Sequence, residues 1–154
     1  VGCYSVINQS HSYRERDERI EIGNQYNSIQ HVREGDFPMP RNISFSMTTR
    51  QFLDQSKTVT RRLGWWDLKP GDVLCGVKKG MGLRKGEEIK RLGLIKVTSV
   101  RRERLESVTA VDVTNEGYPE MWPGEFVKMF CRSYKCEPDT WVNRIEFKYL
   151  EGPL

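Results

Sequence analysis

The stretch Ser56–Arg62 reads "SKTVTRR": three hydroxyls and three cations around one apolar side chain, Val59. Extended backbone turns successive side chains to opposite faces, so a strand here aligns Thr58, Thr60 and Arg62 and sends Lys57 the other way. Lys57 can join Thr60 only if the strand starts after it, leaving the lysine in a turn behind a short helix. The commoner reading of such a stretch is a basic edge strand whose charges block pairing with another sheet. The other reading is an active site, because a threonine hydroxyl attacks only when a base takes its proton. Lysine serves as that base when burial, or neighbouring Arg61 and Arg62, disfavour its ammonium form.

Composition narrows the choice of base. The only histidines are His11 and His31, both near the start, so Ser–His or Cys–His activation and histidine-rich metal sites are excluded from the rest. Cys3, Cys75, Cys131 and Cys136 contain no C-x-x-C pair and read as free packing residues. Neither a metal nor a cofactor is expected. A carboxylate is needed to relay a proton or hold a substrate. Glu116 is the first candidate, with Glu120 and Asp112 as rivals. A carboxylate closing a helix opposes the helix dipole, which suggests a further reason for Glu116 to stand there.

Around this stretch, "ISFSM" alternates as a strand with Ile43, Phe45 and Met47 on one face. "TTRQFLDQ" has Thr48 and Gln51 in capping-box spacing and predicts a short helix with Phe52 and Leu53 in the core. "LKPGDVLCGV" is a Pro-Gly turn feeding a strand over Asp72–Val77. The glycine- and cation-rich run from Lys78 to Arg91 is a flexible loop or wide hairpin connection. "LGLIKVTSVRRERL" is a long, bent strand. "TAVDVTNEG" is a helix with Thr109 as N-cap, Asp112 three residues on, and Gly117 as its stop. "PGEFVKMFCRSY" is a second helix opened by Pro123, burying Phe126, Val127 and Phe130. "TWVNRIEFKYL" alternates as a last strand with Trp141, Ile145, Phe147 and Tyr149 on one side. No βαβ rhythm is present. The pattern is α+β: a small, mostly antiparallel β-barrel of about five strands, with short helices at its edges.

The first 38 residues lack sustained periodicity and are punctuated by Pro38 and Pro40. They are expected to form a mobile or loosely docked extension (1–38) ahead of the domain (39–154). The charge is split in the same way. Of the 25 basic and 21 acidic residues, residues 39–154 hold 21 and 15. A basic body suits a polyanion, nucleic acid first. Trp65 and Trp66 follow the basic stretch and are candidates for stacking on a base. Lys78, Lys79, Arg84 and Lys85 are candidates for a phosphate clamp. Tyr118 lies close to Glu116 and is a candidate cleft residue, whereas Trp122 is expected to be buried in a helix corner. No apolar run approaches the roughly 20 residues of a membrane helix, and no signal peptide is read at the start. A cytoplasmic monomer without a membrane partner is expected.

"QSKTVTRR" (Gln55–Arg62) resembles the G-x-K-x-x-T-x-R signature of ASCH domains, members of the PUA-like superfamily. "NEGYPEMWPGEFVKMF" and "VNRIEFKYL" also look like that family, so the resemblance spans about Pro40 to Leu150. It implies a PUA-like β-barrel with short helices flanking a cleft, and an RNA-related role. One branch of small bacterial members hydrolyses the amide of N4-acetylcytidine. By that likeness Lys57 is the base, Thr60 the nucleophile, Glu116 the carboxylate, and Arg62 an electrostatic or substrate-holding group. Gln55 departs from the signature glycine, and is expected to force a different turn geometry if that glycine is left-handed. The function expected is binding of RNA or a modified nucleoside, with amidohydrolase activity. A non-catalytic RNA-binding module and a single-strand ribonuclease are the alternatives.

Overall fold

The computed structural model describes residues 40–151. Residues 1–38, with His11, His31 and Cys3, lie outside the described residues. The order of elements is strand β1 (Arg41–Ser44), a 3-10 turn (Ser46–Thr48), helix α1 (Thr49–Leu53), β2 (Val59–Arg62), β3 (Val73–Val77) and β4 (Arg91–Arg104). A second 3-10 turn (Leu105–Ser107), α2 (Ala110–Asn115), α3 (Pro123–Tyr134) and β5 (Trp141–Leu150) follow. All five strands join one sheet in the order β1-β3-β4-β5-β2. Only β1 and β3 run parallel; the other neighbours are antiparallel. The sheet curls into a half-barrel, the small α+β PUA-like architecture expected from the sequence.

The long β4–β5 ribbon supplies the curl. Its register runs from Leu94 opposite Leu150 to Arg104 opposite Trp141, and shifts between Val97 and Ser99. An extra residue on one strand bends it and increases its twist. The bent sheet encloses one core, in which Ile43, Phe45, Phe52, Ile95, Ile145 and Phe147 are buried. Fully burying such side chains stabilises the fold by about 1.5–3 kcal/mol each. The second core lies where α2 and α3 pack on the far end of the ribbon, around Leu105, Val113, Phe126, Phe130 and Val142. Helix α1 rests directly on the sheet because Gly76 has no side chain. A Cβ there would stand 2.4 Å from the Phe52 ring.

The two longer helices form as their end signals predict. Thr109 Oγ1 accepts a hydrogen bond from the Asp112 N–H and the Asp112 carboxylate accepts one from the Thr109 N–H, closing the capping box of α2. Pro123 opens α3, which buries Phe126, Val127 and Phe130.

Four expectations are corrected. Thr48 makes no side-chain cap for α1; Gln51 instead donates through Nε2 to the Gly117 carbonyl at 3.1 Å. A five-residue helix presents one narrow face, so Phe52 takes the core while Leu53 is 60% exposed. Met47 leaves the face it would share with Ile43 and Phe45, because the chain turns into the 3-10 segment at Ser46. Trp122 is 75% exposed rather than buried, standing at the N-cap of α3. In β5 the alternation holds for Ile145 and Phe147. Trp141 is exposed, however, and the polar residues Asn143 and Arg144 are buried. Cys75 is a buried free thiol; Cys131 and Cys136 are half-buried, with Sγ atoms 4.0 Å apart.

Candidate active site

Helix α1 ends in a tight turn that brings Lys57 to the start of β2. The Asp54 carboxylate accepts the Ser56 N–H at 2.9 Å, and the Lys57 N–H donates to the Gln51 carbonyl at 3.1 Å. The Lys57 carbonyl accepts the Tyr149 hydroxyl at 2.6 Å. The strand begins at Val59, so Lys57 lies in the turn and not on the strand face opposite Thr60. Gln55 reaches this geometry with φ +61°, the left-handed conformation itself. The expectation that Gln55 forces a different turn is therefore corrected: the glutamine accepts a strain that costs about 1–2 kcal/mol for a residue with a Cβ.

The Lys57 ammonium meets Glu116. Nζ donates to Glu116 Oε2 and to the Glu116 backbone carbonyl, both at 2.7 Å. Both side chains are buried. Glu116 is the C-cap residue of α2, where a carbonyl lacks a partner within the helix. Lys57 therefore satisfies both the carbonyl and the carboxylate. Gly117, at φ +99°, turns the chain away, and a Cβ there would crowd Gln51 at 2.9 Å. Burial is the main cause pulling the Lys57 pKa below the ordinary 10.5. Glu116 opposes that shift, and Arg62 and Arg61 add to it.

Thr60 lies on the face of β2 shared with Arg62 and is 3% exposed. Its Oγ1 accepts from Arg62 Nε at 3.2 Å. Lys57, Thr60, Glu116, Arg62, Trp65 and Tyr118 line one cavity of about 580 Å³, with an apolar wall that includes Phe45, Met129 and Phe130. Among the described residues no hydrogen bond joins Lys57 Nζ to Thr60. The structure thus brings the three residues to one cavity, with the lysine engaged by the glutamate.

Arg61 touches the same cavity, but its guanidinium is committed elsewhere. Nε donates to Glu103 Oε1 at 2.8 Å and Nη1 to Glu116 Oε1 at 3.2 Å. Nη2 stands 2.7 Å from Glu103 and 3.0 Å from Asp112, outside hydrogen-bonding angles, so these are charge contacts. Asp112 also receives Arg144 Nε at 3.1 Å. Burial pushes the Asp112 carboxyl up, but Arg61, Thr109 and Arg144 together hold it below its ordinary 3.8. The rival carboxylate Asp112 therefore anchors arginines, and Glu120 is exposed and does not line the cavity.

Arg62 spans the open side of the half-barrel. Nη2 donates to the Ser44 carbonyl at the end of β1, and the guanidinium lies 5.3 Å from the Phe45 ring centroid. The two tryptophans separate. Trp65 faces the cavity in a left-handed conformation, φ +60°, with its carbonyl held by Asn143 Nδ2 at 2.8 Å. Trp66 does not line the cavity; it is 44% exposed under the Arg102 guanidinium. In the β3–β4 connection Lys79 reaches the cavity rim and pairs with Glu87 at 3.1 Å. Lys78, Arg84 and Lys85 are exposed and away from the cavity.

Sequence reading missed Tyr149, Gln51 and Asn143 as supports of the site, because each acts through one long-range contact to a backbone carbonyl. No local pattern encodes that. Among the described residues no group of three or more His, Cys, Asp or Glu is placed to hold a metal ion, and no helix is long and apolar enough to cross a membrane.

No family model matches the chain, and no curated protein matches it. Solved structures similar to this chain include the following two. A protein of Enterococcus faecalis V583, carrying the family model DUF984, aligns with a TM-score of 0.54 at 18% identity. That alignment covers 86% of this chain and 88% of the other. An ASCH domain from Lactobacillus crispatus JV V101 aligns with a TM-score of 0.49 at 16% identity, covering 89% of this chain and 97% of the other. The likeness to the E. faecalis protein is one of fold.

Proposed function

We propose that this chain is an ASCH-type domain that takes RNA or a modified nucleoside into the cavity around Lys57, and that it hydrolyses the amide of an N4-acylated cytidine. The observation that carries the reading is a dehydrated lysine bonded to a carboxylate in the same cavity as a buried threonine hydroxyl. The signature residues of the sequence resemblance occupy those positions.

The chemistry follows from these groups. Lys57 Nζ, once it has lost its proton to solvent, moves from Glu116 towards Thr60 as the substrate binds. Thr60 Oγ1 attacks the acyl carbonyl while Lys57 accepts its proton, forming a tetrahedral oxyanion. The Arg62 guanidinium, next to Thr60, offers that oxyanion charge stabilisation. Collapse breaks the carbon–nitrogen bond, and the proton passes to the exocyclic amine of cytidine as it leaves. Water, deprotonated by the same lysine, then releases the acyl group as a carboxylic acid and restores Thr60. Trp65, with its backbone pinned by Asn143, supplies a flat wall for the base.

One observation favours a second reading, an RNA-binding module without catalysis. Lys57 is engaged by Glu116, and the Thr60 hydroxyl by Arg62. Incubating the protein with N4-acetylcytidine and separating the products decides between them. Hydrolysis yields cytidine and acetate, and Thr60→Val, which keeps the shape of the side chain, abolishes the yield. Salt-sensitive oligonucleotide binding with no cytidine released supports the module. Turnover that survives both Thr60→Val and Lys57→Met overturns the assigned roles.

A further inference from the structure

Arg102, Arg104 and Trp141 of the β4–β5 ribbon and Trp66 of the β2–β3 connection are exposed side chains that stand together outside the cavity. Arg102 lies over the Trp66 ring at 4.6 Å, and Arg104 over the Trp141 ring at 4.2 Å. Trp66 is 44% and Trp141 50% exposed. The register fixes which way they face. Arg62 of β2 is opposite Asn143 of β5, Asn143 is opposite Arg102 of β4, and Trp141 is opposite Arg104. Residues directly opposed across neighbouring strands share a face. Arg62, Asn143 and Arg102 therefore form one row across three strands, and Trp141 with Arg104 forms the next row, about 7 Å further along the ribbon. On the opposite face Val142 is buried against α2 and α3. Arg102, Arg104 and Trp141 thus share the sheet face of Thr60 and Arg62, with Trp66 under Arg102, beside the Trp65 segment that Asn143 holds.

Among the described residues the two arginines of this strip have no carboxylate partner. Glu103, between the two arginines, points to the other face, where Arg61 and Arg101 take it. Among the described residues neither Arg102 nor Arg104 makes an ion pair; Arg104 Nη1 donates to the Asp139 carbonyl at 2.7 Å. A guanidinium lying flat on an indole directs its N–H groups outward in the ring plane, where those not already bonded can meet a phosphate oxygen, and is held ready by the stack. Exposed indole beside it offers a flat surface to an unpaired base.

We infer that Trp66, Arg102, Arg104 and Trp141 form a track for single-stranded RNA that leads to the cavity. The occupant's chemistry rests on the proposed nucleoside reading of the cavity. The inference deepens that reading: the cavity takes a nucleotide within a strand as well as a free nucleoside. A duplex keeps its bases stacked on one another and cannot offer them to the indoles, so the track selects single strands.

The test is fluorescence anisotropy on a labelled, unstructured cytidine- and uridine-containing oligoribonucleotide of about ten nucleotides, within the span of single-strand sites. It is titrated with the wild-type chain and with an Arg104→Ala/Trp141→Ala variant, and each titration is repeated across a range of salt concentrations. The expected result is binding that weakens at least about tenfold in the variant, the loss of a single base stack being on this scale. A salt dependence shallower by nearly one phosphate contact is expected with it. Unchanged affinity and salt slope overturn the track, as does equal affinity for the matching duplex. Circular dichroism of the variant establishes that both substitutions, at exposed positions, leave the fold intact. Binding is read without turnover. A chain that releases cytidine but ignores the oligonucleotide therefore refutes the track alone, and a chain that binds through the track without releasing cytidine refutes the hydrolase alone.

Discussion

Lys57 Nζ lies 2.7 Å from Glu116 Oε2 and 2.7 Å from the carbonyl of the same residue, with both side chains buried. A buried pair of this kind is costly to break from one side, because the surviving charge is left without its partner. Glu116→Gln removes the carboxylate from both Lys57 and Arg61. It is expected to lower unfolding free energy by about 3–5 kcal/mol, measured by urea denaturation. Lys57→Met/Glu116→Gln removes both charges and should recover part of that loss. A double variant no more stable than Glu116→Gln would show that the pair is not coupled.

Burial sets the direction of the Lys57 titration, below the ordinary 10.5, against the pull of Glu116. If Lys57 is the base, kcat/KM on N4-acetylcytidine rises with pH as the lysine loses its proton, along a limb whose midpoint lies below 10.5. Stability follows the same shift. Between the lowered folded pKa and 10.5 the unfolded chain binds more protons at Lys57 than the folded one, so this contribution to stability grows with pH. A rate profile with no rising limb below 10.5 would remove Lys57 from the role of base.

At the turn before Lys57, Gln55 holds φ +61°. Glycine adopts that conformation without the Cβ penalty, though it loses more entropy on folding. Gln55→Gly is therefore expected to stabilise the chain by about 0.5–1 kcal/mol. The shift is read as a higher urea midpoint at unchanged denaturant slope. A lower midpoint would mean that the Gln55 side chain makes contacts worth more than the strain it bears.

Asp112 joins Arg61, Arg144 and the cap of α2, and its carboxyl is held below 3.8. The sign is that of a depressed carboxylate: its stabilisation is present above the unfolded value and lost as pH falls through the folded pKa. Thermal melts should therefore stay flat down to about pH 4 and fall steeply below it. Asp112→Asn should melt lower at neutral pH and lose less on acidification. A variant as acid-sensitive as the wild type would assign acid unfolding to other carboxylates.

Much of the fold was legible because its signals are local. The Thr109–Asp112 box, Pro123 at the first turn of α3 and the alternation at Ile145 and Phe147 each act within a few residues, and each forms the element it predicts. The misreadings have a common cause. Leu53, Met47 and Trp122 are apolar, and neither period nor spacing shows that the chain turns or ends before they reach a core. The buried Arg61 and Arg144 are the converse: a strand of charges reads as a surface until the carboxylates of β4 and α2 are packed against it.

By itself the sequence determined which residue types are available for chemistry: no histidine after His31, a lysine three residues before a threonine, and glutamates further along the chain. It also determined the order of strands and helices, through patterns that span no more than a turn or a strand. Only the tertiary structure decided that Lys57 meets Glu116, 59 residues away, that Arg61 is locked among three carboxylates, and that Trp65 and Trp66 serve different surfaces. The physical reason is the range of the interactions. Backbone propensity and side-chain period act between neighbours, whereas the charge and burial of a buried ion pair depend on which distant segments the curl of the sheet brings together.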